Sequence, residues 1–360
     1  MQQRVLYGLL GVAMLVVICL LDAFIAHALI DPDFIRPGSA LGDVLRSCFD
    51  EIHDQPLGRL LARGSCIPIV FLGVVLLGAI EFRKLLITRS LRPFAGFASI
   101  AIAAIFLSPW LSAAGWLGHE AVHVEGIYWP VVLLMISFVL TAVLAVLRGD
   151  ASSVLRDVGA TWIMIIYLGF LPSFAIQIRC SDSVPDWHGA WLFLAILLII
   201  KFSDIGAYLV GTSMGSRRPF PALSPGKSLE GMIGGVLASA IAAVIITLCG
   251  RMGAGLTASP ESAGNLDHLT YLLIQLGDLF GRRVNDSLMP PILRAVLFGV
   301  IISAFSQIGD LLESGFKREA GIKDSGSVMP SFGGILDLID SPVLAMPVAW
   351  FLLTAVWGVI

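Results

Sequence analysis

The stretch HGAWLFLAILLIIKFSDIGAYLVGTS, residues 188–213, decides how this chain is read. It is apolar in every turn for longer than the roughly 20 residues that cross a bilayer as a helix. It also holds Lys201, Asp204 and Tyr208, spaced i, i+3 and i+7 on one helical face. Backbone inside lipid is satisfied only by helices or closed barrels. The run is continuously apolar rather than alternating, so a helix is expected.

The same ruler applied outward finds about nine candidate spans: 5–30, 66–82, 95–116, 129–147, 160–178, 188–213, 231–250, 293–313 and 340–360. Composition agrees. Of 360 residues, 57% are hydrophobic and 14% charged, against about 25% charge in a soluble domain. The mean hydropathy is +0.89. The fold class is therefore all-α, a polytopic integral membrane helical bundle. No basic run points to nucleic acid, and no acidic tail to a disordered arm. Arg4 precedes a long apolar run, and Ala26-His27-Ala28 resembles a peptidase site. The run Val5 to Leu21 exceeds a secretory h-region of about 7–15 residues, so a retained anchor is expected.

Lysine and arginine orient the bundle. Arg83, Lys84, Arg89, Arg92, Arg148, Arg156, Arg217, Arg218, Lys227, Lys317, Arg318 and Lys323 fall on the side of the N-terminus. That side is expected to be cytoplasmic. The opposite side concentrates its basic residues in two longer loops, near 31–65 and 251–292. The first is read as an extramembrane insertion with an amphipathic helix around Leu41 to Ile52. The second carries an apolar helical stripe from Leu269 to Phe280. The expected organisation is 1–160 as N-terminal spans with that insertion, and 161–360 as a catalytic membrane core. Of five cysteines, Cys19 and Cys249 lie in apolar runs. Cys48, Cys66 and Cys180 lie in or beside loops, where a disulfide requires an oxidising compartment.

Ionisable residues within apolar spans are costly and mark function. Lys201 and Asp204 either neutralise each other or form the wall of a substrate cavity. The eighth span ends in Ser306, Gln307, Asp310, Glu313 and Lys317, and the last begins with Asp337 and Asp340 at i, i+3. Carboxylates gathered from two helices repel unless a cation sits among them. Mg²⁺ is the hard cation that suits carboxylate and phosphate oxygens together. The bland alternative is that these are solvated helix ends. Opposite charge comes from Ser224-Pro225-Gly226-Lys227-Ser228-Leu229-Glu230-Gly231 and from Lys317, Arg318 and Lys323 with Gly333-Gly334. Basic side chains beside glycine-rich backbone suit polyphosphate. Gly226-Lys227-Ser228 is not a Walker A loop, because Pro221 stands where that motif needs glycine.

At these residues the chain resembles the phosphatidate cytidylyltransferase (CDP-diacylglycerol synthase) family. The resemblance is carried by Gly309-Asp310-Leu311-Leu312-Glu313-Ser314-Gly315-Phe316-Lys317-Arg318, then Lys323-Asp324, Pro330, Gly333-Gly334, Asp337 and Asp340. Upstream it is carried by Asp204, Ala207-Tyr208, Gly211, Ser224-Pro225, Lys227-Ser228, Glu230-Gly231 and Gly234-Gly235. It extends from about residue 160 to the C-terminus. Two positions depart from the family pattern: Phe332 stands for the usual histidine, and Leu338 for the usual arginine.

The resemblance implies transfer of CMP from CTP to phosphatidic acid, giving CDP-diacylglycerol and pyrophosphate, in an inner membrane with the site facing the cytoplasm. It implies that Asp310 and Asp337 hold Mg²⁺, with room for a second cation and with Glu313 and Asp340 as weaker ligands. Asp310, Asp337 and Lys227 would be catalytic. Asp204, Ser224, Lys227, Ser228, Lys317, Arg318 and Lys323 would hold substrate. The partners expected are CTP, phosphatidic acid and membrane lipid, with no nucleic acid, and a homodimer is compatible. Two alternatives stand beside this reading. One is a catalytically altered or silent member, motivated by Phe332 and Leu338. The other is a transporter, which would be expected to show inverted repeats that the chain lacks.

Overall fold

The computed structural model describes residues 2–30, 55–117, 127–181, 188–256, 290–322 and 334–357, with the isolated positions 44 and 47. Most of the expected insertion, the stripe from Leu269 to Phe280, Cys48, Lys323 and Phe332 lie outside the described residues. The described residues are mostly helical, with no strand among them. In order they form α1 (Gln2–Ile30), α2 (Pro56–Ala62), α3 (Cys66–Thr88), α4 (Ala95–Ala113) and α5 (Tyr128–Arg148). Then come α6 (Val154–Arg179), α7 (His188–Met214), α8 (Leu229–Leu256), α9 (Pro291–Ala320) and α10 (Leu336–Phe351).

Eight of these helices are long and apolar enough to cross a membrane, and α1 holds a shorter apolar stretch, Ala13–Leu29. Among the described residues, each of the nine runs read from sequence is helical over most of its length. Their apolar side chains point outward as well as inward. Leu155 is 87% exposed and Leu147 76%, as befits a surface solvated by hydrocarbon rather than water. Helix α6 relaxes into a π-turn at Ile166–Phe170. Helix α10 contains Pro342 and Pro347 and ends in a second π-turn, Leu352–Val356. Membrane helices tolerate such breaks when neighbours re-satisfy the freed backbone groups.

The chain packs as two compact units. The first comprises Met1–Ala190 with Glu319–Leu338, and the second Trp191–Arg318 with Ile339–Ile360. The first unit is tied by polar knots. Asp22 and Arg179, both fully buried, pair at 2.5 Å, and Asp22 also accepts the Ile67 amide at 3.1 Å. Gly64 (φ +85°) and Gly189 leave the room that Arg179 fills, since a Cβ at either would overlap it. Cys66 and Cys180 form no disulfide among the described residues, and the Cys180 thiol donates to the Arg63 carbonyl at 3.5 Å. Asp157 accepts from the Arg92 amide and from Arg148, whose guanidinium lies over the Phe94 ring at 3.9 Å.

The second unit is held by seams of small residues. A Cβ on Gly235 would meet the Ser203 carbonyl at 2.8 Å and the Gln307 side chain at 3.0 Å, so α7, α8 and α9 converge there. One on Gly309 would overlap the backbone carbonyl of Asp340, so α9 touches α10 main chain. Without a hydrophobic drive between helices in lipid, close backbone approach of this kind provides the association. Buried hydroxyls add to it. Ser203 and Ser303 lie 2.6 Å apart, and Ser239 donates to the Gly299 carbonyl at 2.9 Å.

Candidate functional site

The second unit gathers most of the ionisable residues singled out above. The segment between α7 and α8 is folded back on itself. Ser224-Pro225-Gly226-Lys227 is a turn closed by the Lys227 amide on the Ser224 carbonyl at 3.2 Å, with proline at the position whose backbone it presets. Arg218 donates to the Gly226 carbonyl, and the Leu229 amide to Arg217 at 2.9 Å. Glu230 accepts from the Ser216 amide and hydroxyl and from the Arg217 amide. Ser228 is buried, and its hydroxyl accepts the Gly231 amide at 3.1 Å. It is the N-cap of α8.

This scaffold aims Lys227 at α9. Its Nζ donates to the Gln307 carbonyl at 3.2 Å and pairs with the Asp310 carboxylate at 2.9 Å. Gln307 is itself fixed, its amide donating to the Met232 carbonyl at 3.1 Å and to the Ser303 hydroxyl at 3.0 Å. The pair stays open to the surroundings, with 19% of the Lys227 side chain and 39% of Asp310 exposed.

Around it stand further charges. Lys201 and Asp204 form the expected i, i+3 pair at 3.2 Å on α7. Asp204 also interacts electrostatically with Asp310 and Lys227. Asp340 is buried, accepts the Ser341 amide, and feels the charges of Asp310, Asp204 and Glu313. Glu313, buried, pairs with Lys317 at 2.5 Å one turn along α9. Arg318 reaches back to the Leu223 carbonyl at 3.3 Å, next to half-buried Ser224. Asp204, Ser224, Lys227, Ser228, Asp310, Glu313, Lys317, Arg318 and Asp340 thus belong to one unit. Asp337 belongs to the first unit, where its carboxylate accepts the Gly334 amide at 2.7 Å. Among the described residues no three His, Cys, Asp or Glu side chains converge as a ready metal cage.

Three buried acids escaped the sequence reading: Asp157, which Arg148 meets in the first turn of α6, and, deeper in their helices, Asp22 and Glu81. The last two are acids within apolar helices, which is the signal that marks them. Neither has a second acid one turn away, as Asp310 and Asp337 do.

Chemically, the second unit offers lysine ammonium groups paired with carboxylates on or beside apolar helices, with glycine-rich backbone alongside. Such an arrangement can accommodate an anionic group, and the class that the fold defines is an integral membrane helical protein. The chain belongs to the Cytidylyltransferase family, whose model matches residues 57–356. It is similar to the phosphatidate cytidylyltransferase of Bacillus subtilis (strain 168), 32% identical over 197 residues that make up 55% of this chain and 58% of the relative. It is likewise similar to the uncharacterized protein YnbB of Escherichia coli (strain K12), 32% identical over 59% of each chain. A phosphatidate cytidylyltransferase of Staphylococcus aureus (strain COL) is 34% identical over 46% of this chain and 50% of the relative. The chain therefore spans between 50% and 59% of the length of these curated relatives.

Proposed function

We propose that this protein transfers CMP from CTP to phosphatidic acid, forming CDP-diacylglycerol and pyrophosphate. The observation that carries the reading is the meeting of Lys227 with Asp310 at 2.9 Å. It joins two motif segments that the chain keeps far apart, in a member of a cytidylyltransferase family with relatives of that name.

A phosphatidate oxygen attacks the α-phosphorus of CTP, the new P–O bond forms, and the bond to the β-phosphate oxygen breaks as pyrophosphate leaves. The nucleophile is already anionic near neutral pH, so no strong general base is needed. The protein's task is positioning and charge neutralisation. Lys227 would leave Asp310 for a phosphate oxygen when the nucleotide arrives, as its partial exposure permits. Ser224, Lys317 and Arg318 would flank the phosphates, and Asp204 with Lys201 would line the pocket. Ser228 would act by fixing the start of α8.

The donor set suits Mg²⁺. That ion binds through one or two carboxylates plus phosphates and water rather than through a protein cage. Asp310 presents such a carboxylate, with Asp340 and Glu313 beside it. The assignment of Asp337 and of Lys323 rests on the sequence motif. When bound, the ion would neutralise charge on the phosphates in transfer. The site would face the cytoplasm of an inner membrane, where CTP is found, with lipid entering from the adjacent leaflet. The basic residues on that side support this.

Purified full-length protein given labelled CTP, phosphatidate and Mg²⁺ should release labelled CDP-diacylglycerol, and chelation should abolish it. Lys227→Ala should raise KM for CTP about 10-fold or more, as loss of a charge-assisted contact does. Protein that binds CTP yet forms no lipid product would instead be the silent member that Phe332 and Leu338 suggest.

A further inference from the structure

We propose that Glu81 is a positioning residue for this reaction: from within α3 it holds the first turn of α10 and so sets the place of Asp337. The inference rests on the cytidylyltransferase reading, which is what gives Asp337 a task.

Glu81 lies in an apolar span and is 3% exposed. A carboxylate at such a depth is expensive unless something answers its charge. What answers it is the start of α10. Its Oε2 accepts the backbone amide of Leu336 at 3.1 Å, across 255 positions of sequence. The first four amides of a helix have no partner within the helix. Water cannot supply one here, because Ile335 and Leu336 are buried, at 4% and 0% exposed. The positive end of the helix dipole favours an anion at the same place.

The rest of the turn is fixed from both sides. Asp337 accepts the Gly334 amide at 2.7 Å, and the Leu338 amide donates to the Ile335 carbonyl at 3.1 Å. On the other side of the contact, Phe82 is 2% exposed and stacks on Tyr167 with ring centroids 5.7 Å apart. That stacking pins α3 at the residue next to Glu81. A membrane helix thus presents a charged acceptor to one backbone amide, and the residue after that amide is the motif carboxylate. An apolar side chain would pack as well without making this bond, so the acid is explained by the bond. The Oε1 atom makes no hydrogen bond among the described residues. A glutamine therefore retains the one oxygen that is used.

The test compares full-length wild type, Glu81→Gln and Glu81→Leu in lipid nanodiscs, with steady-state kinetics and amide hydrogen exchange of the 334–338 segment. Glu81→Leu should lower kcat about 10- to 100-fold, the range for losing a bond to a charged acceptor. KM for phosphatidate should stay within about 2-fold, since lipid binding is not what Glu81 orders. The Leu336 amide should exchange at least about 10-fold faster. Glu81→Gln should lose no more than about 5-fold in kcat and keep the amide protected. A wild-type kcat in Glu81→Leu, an unchanged exchange rate, or equal losses in both variants would overturn the proposal. If Glu81→Leu fails to accumulate, loss of Leu336 protection in Glu81→Gln overturns it and retained protection supports it. The exchange measurement needs no turnover. A loosened Leu336 amide in a protein with no transferase activity would bring down the cytidylyltransferase reading and leave the Glu81 contact standing.

Discussion

Each unit of the molecule has one ion pair that organises it, and the two are built for opposite ends. In the first unit Asp22 and Arg179 are wholly buried and 2.5 Å apart, with the Ile67 amide as a further donor and two glycines making room. In the second, Lys227 and Asp310 are 2.9 Å apart and 19% and 39% exposed. The chemistry is the same, a carboxylate and a cation, and burial separates the roles. A buried pair must be complete, because a lone partner is left uncompensated. An open pair gains little from the contact and exchanges partners cheaply. The first pair is a lock, and the second, on the proposed function, yields Lys227 to a phosphate oxygen.

The largest effect that would break this contrast is expected in the first unit. Asp22→Ala should destabilise the protein by about 3–5 kcal/mol, since it strands Arg179 without its carboxylate. Thermal unfolding in detergent reads this directly, and a melting temperature equal to wild type would refute the lock.

Next comes Asp310→Asn. It should leave unfolding unchanged and slow turnover by about 100-fold, the typical loss of one key electrostatic stabiliser. Combined with Lys227→Ala, the losses should fall well short of additive, because both changes dismantle one site. Additive losses in the double variant would show that the two residues work separately.

Smaller still, Ser228→Ala removes the N-cap of α8 and should cost about 1 kcal/mol of stability. A variant as stable as wild type would mean that the cap is supplied elsewhere. Smallest of all, Lys227→Ala should alter stability by no more than about 0.5 kcal/mol, as an open position does. A larger shift in its unfolding curve would make the second pair structural too.

The spans were legible because lipid imposes a length and a uniform polarity that no other solvent does. Among the described residues, each of the nine apolar runs, from 5–30 to 340–360, is helical over most of its length. The close seam at Gly231, Gly234 and Gly235 could also be read, since small residues in a membrane helix have one common use. The partnership of Lys227 with Asp310 was not legible. Spacing along the chain relates residues on one helix, whereas these two meet through a loop folded onto a different helix. The sequence singles out Asp310 and Asp337 because the acids share a pattern, and it carries no sign of the lysine that pairs with Asp310 at 2.9 Å. Glu81 was missed for a related reason. The apolar run 66–82 ends one residue beyond it, which sets the acid at the edge of that run. Helix α3 in fact continues to Thr88, which places Glu81 within the span. Asp22 sits likewise near the end of a run, and only the fold reveals Arg179 opposite it.

Gly309 carries a consequence for how this protein can change over generations. The obstacle a side chain would meet there is the main-chain carbonyl of Asp340. No substitution on α10 removes a carbonyl, so no second mutation nearby can compensate for a first. Every residue other than glycine brings a Cβ, and the codon therefore has no neighbouring state that leaves the two helices where they are. Lineages should drift freely at Leu155 or Leu147, trading one lipid-facing apolar residue for another. At position 309 they should hold still. A saturation library selected for activity would display that asymmetry as a single permitted residue beside two permissive ones.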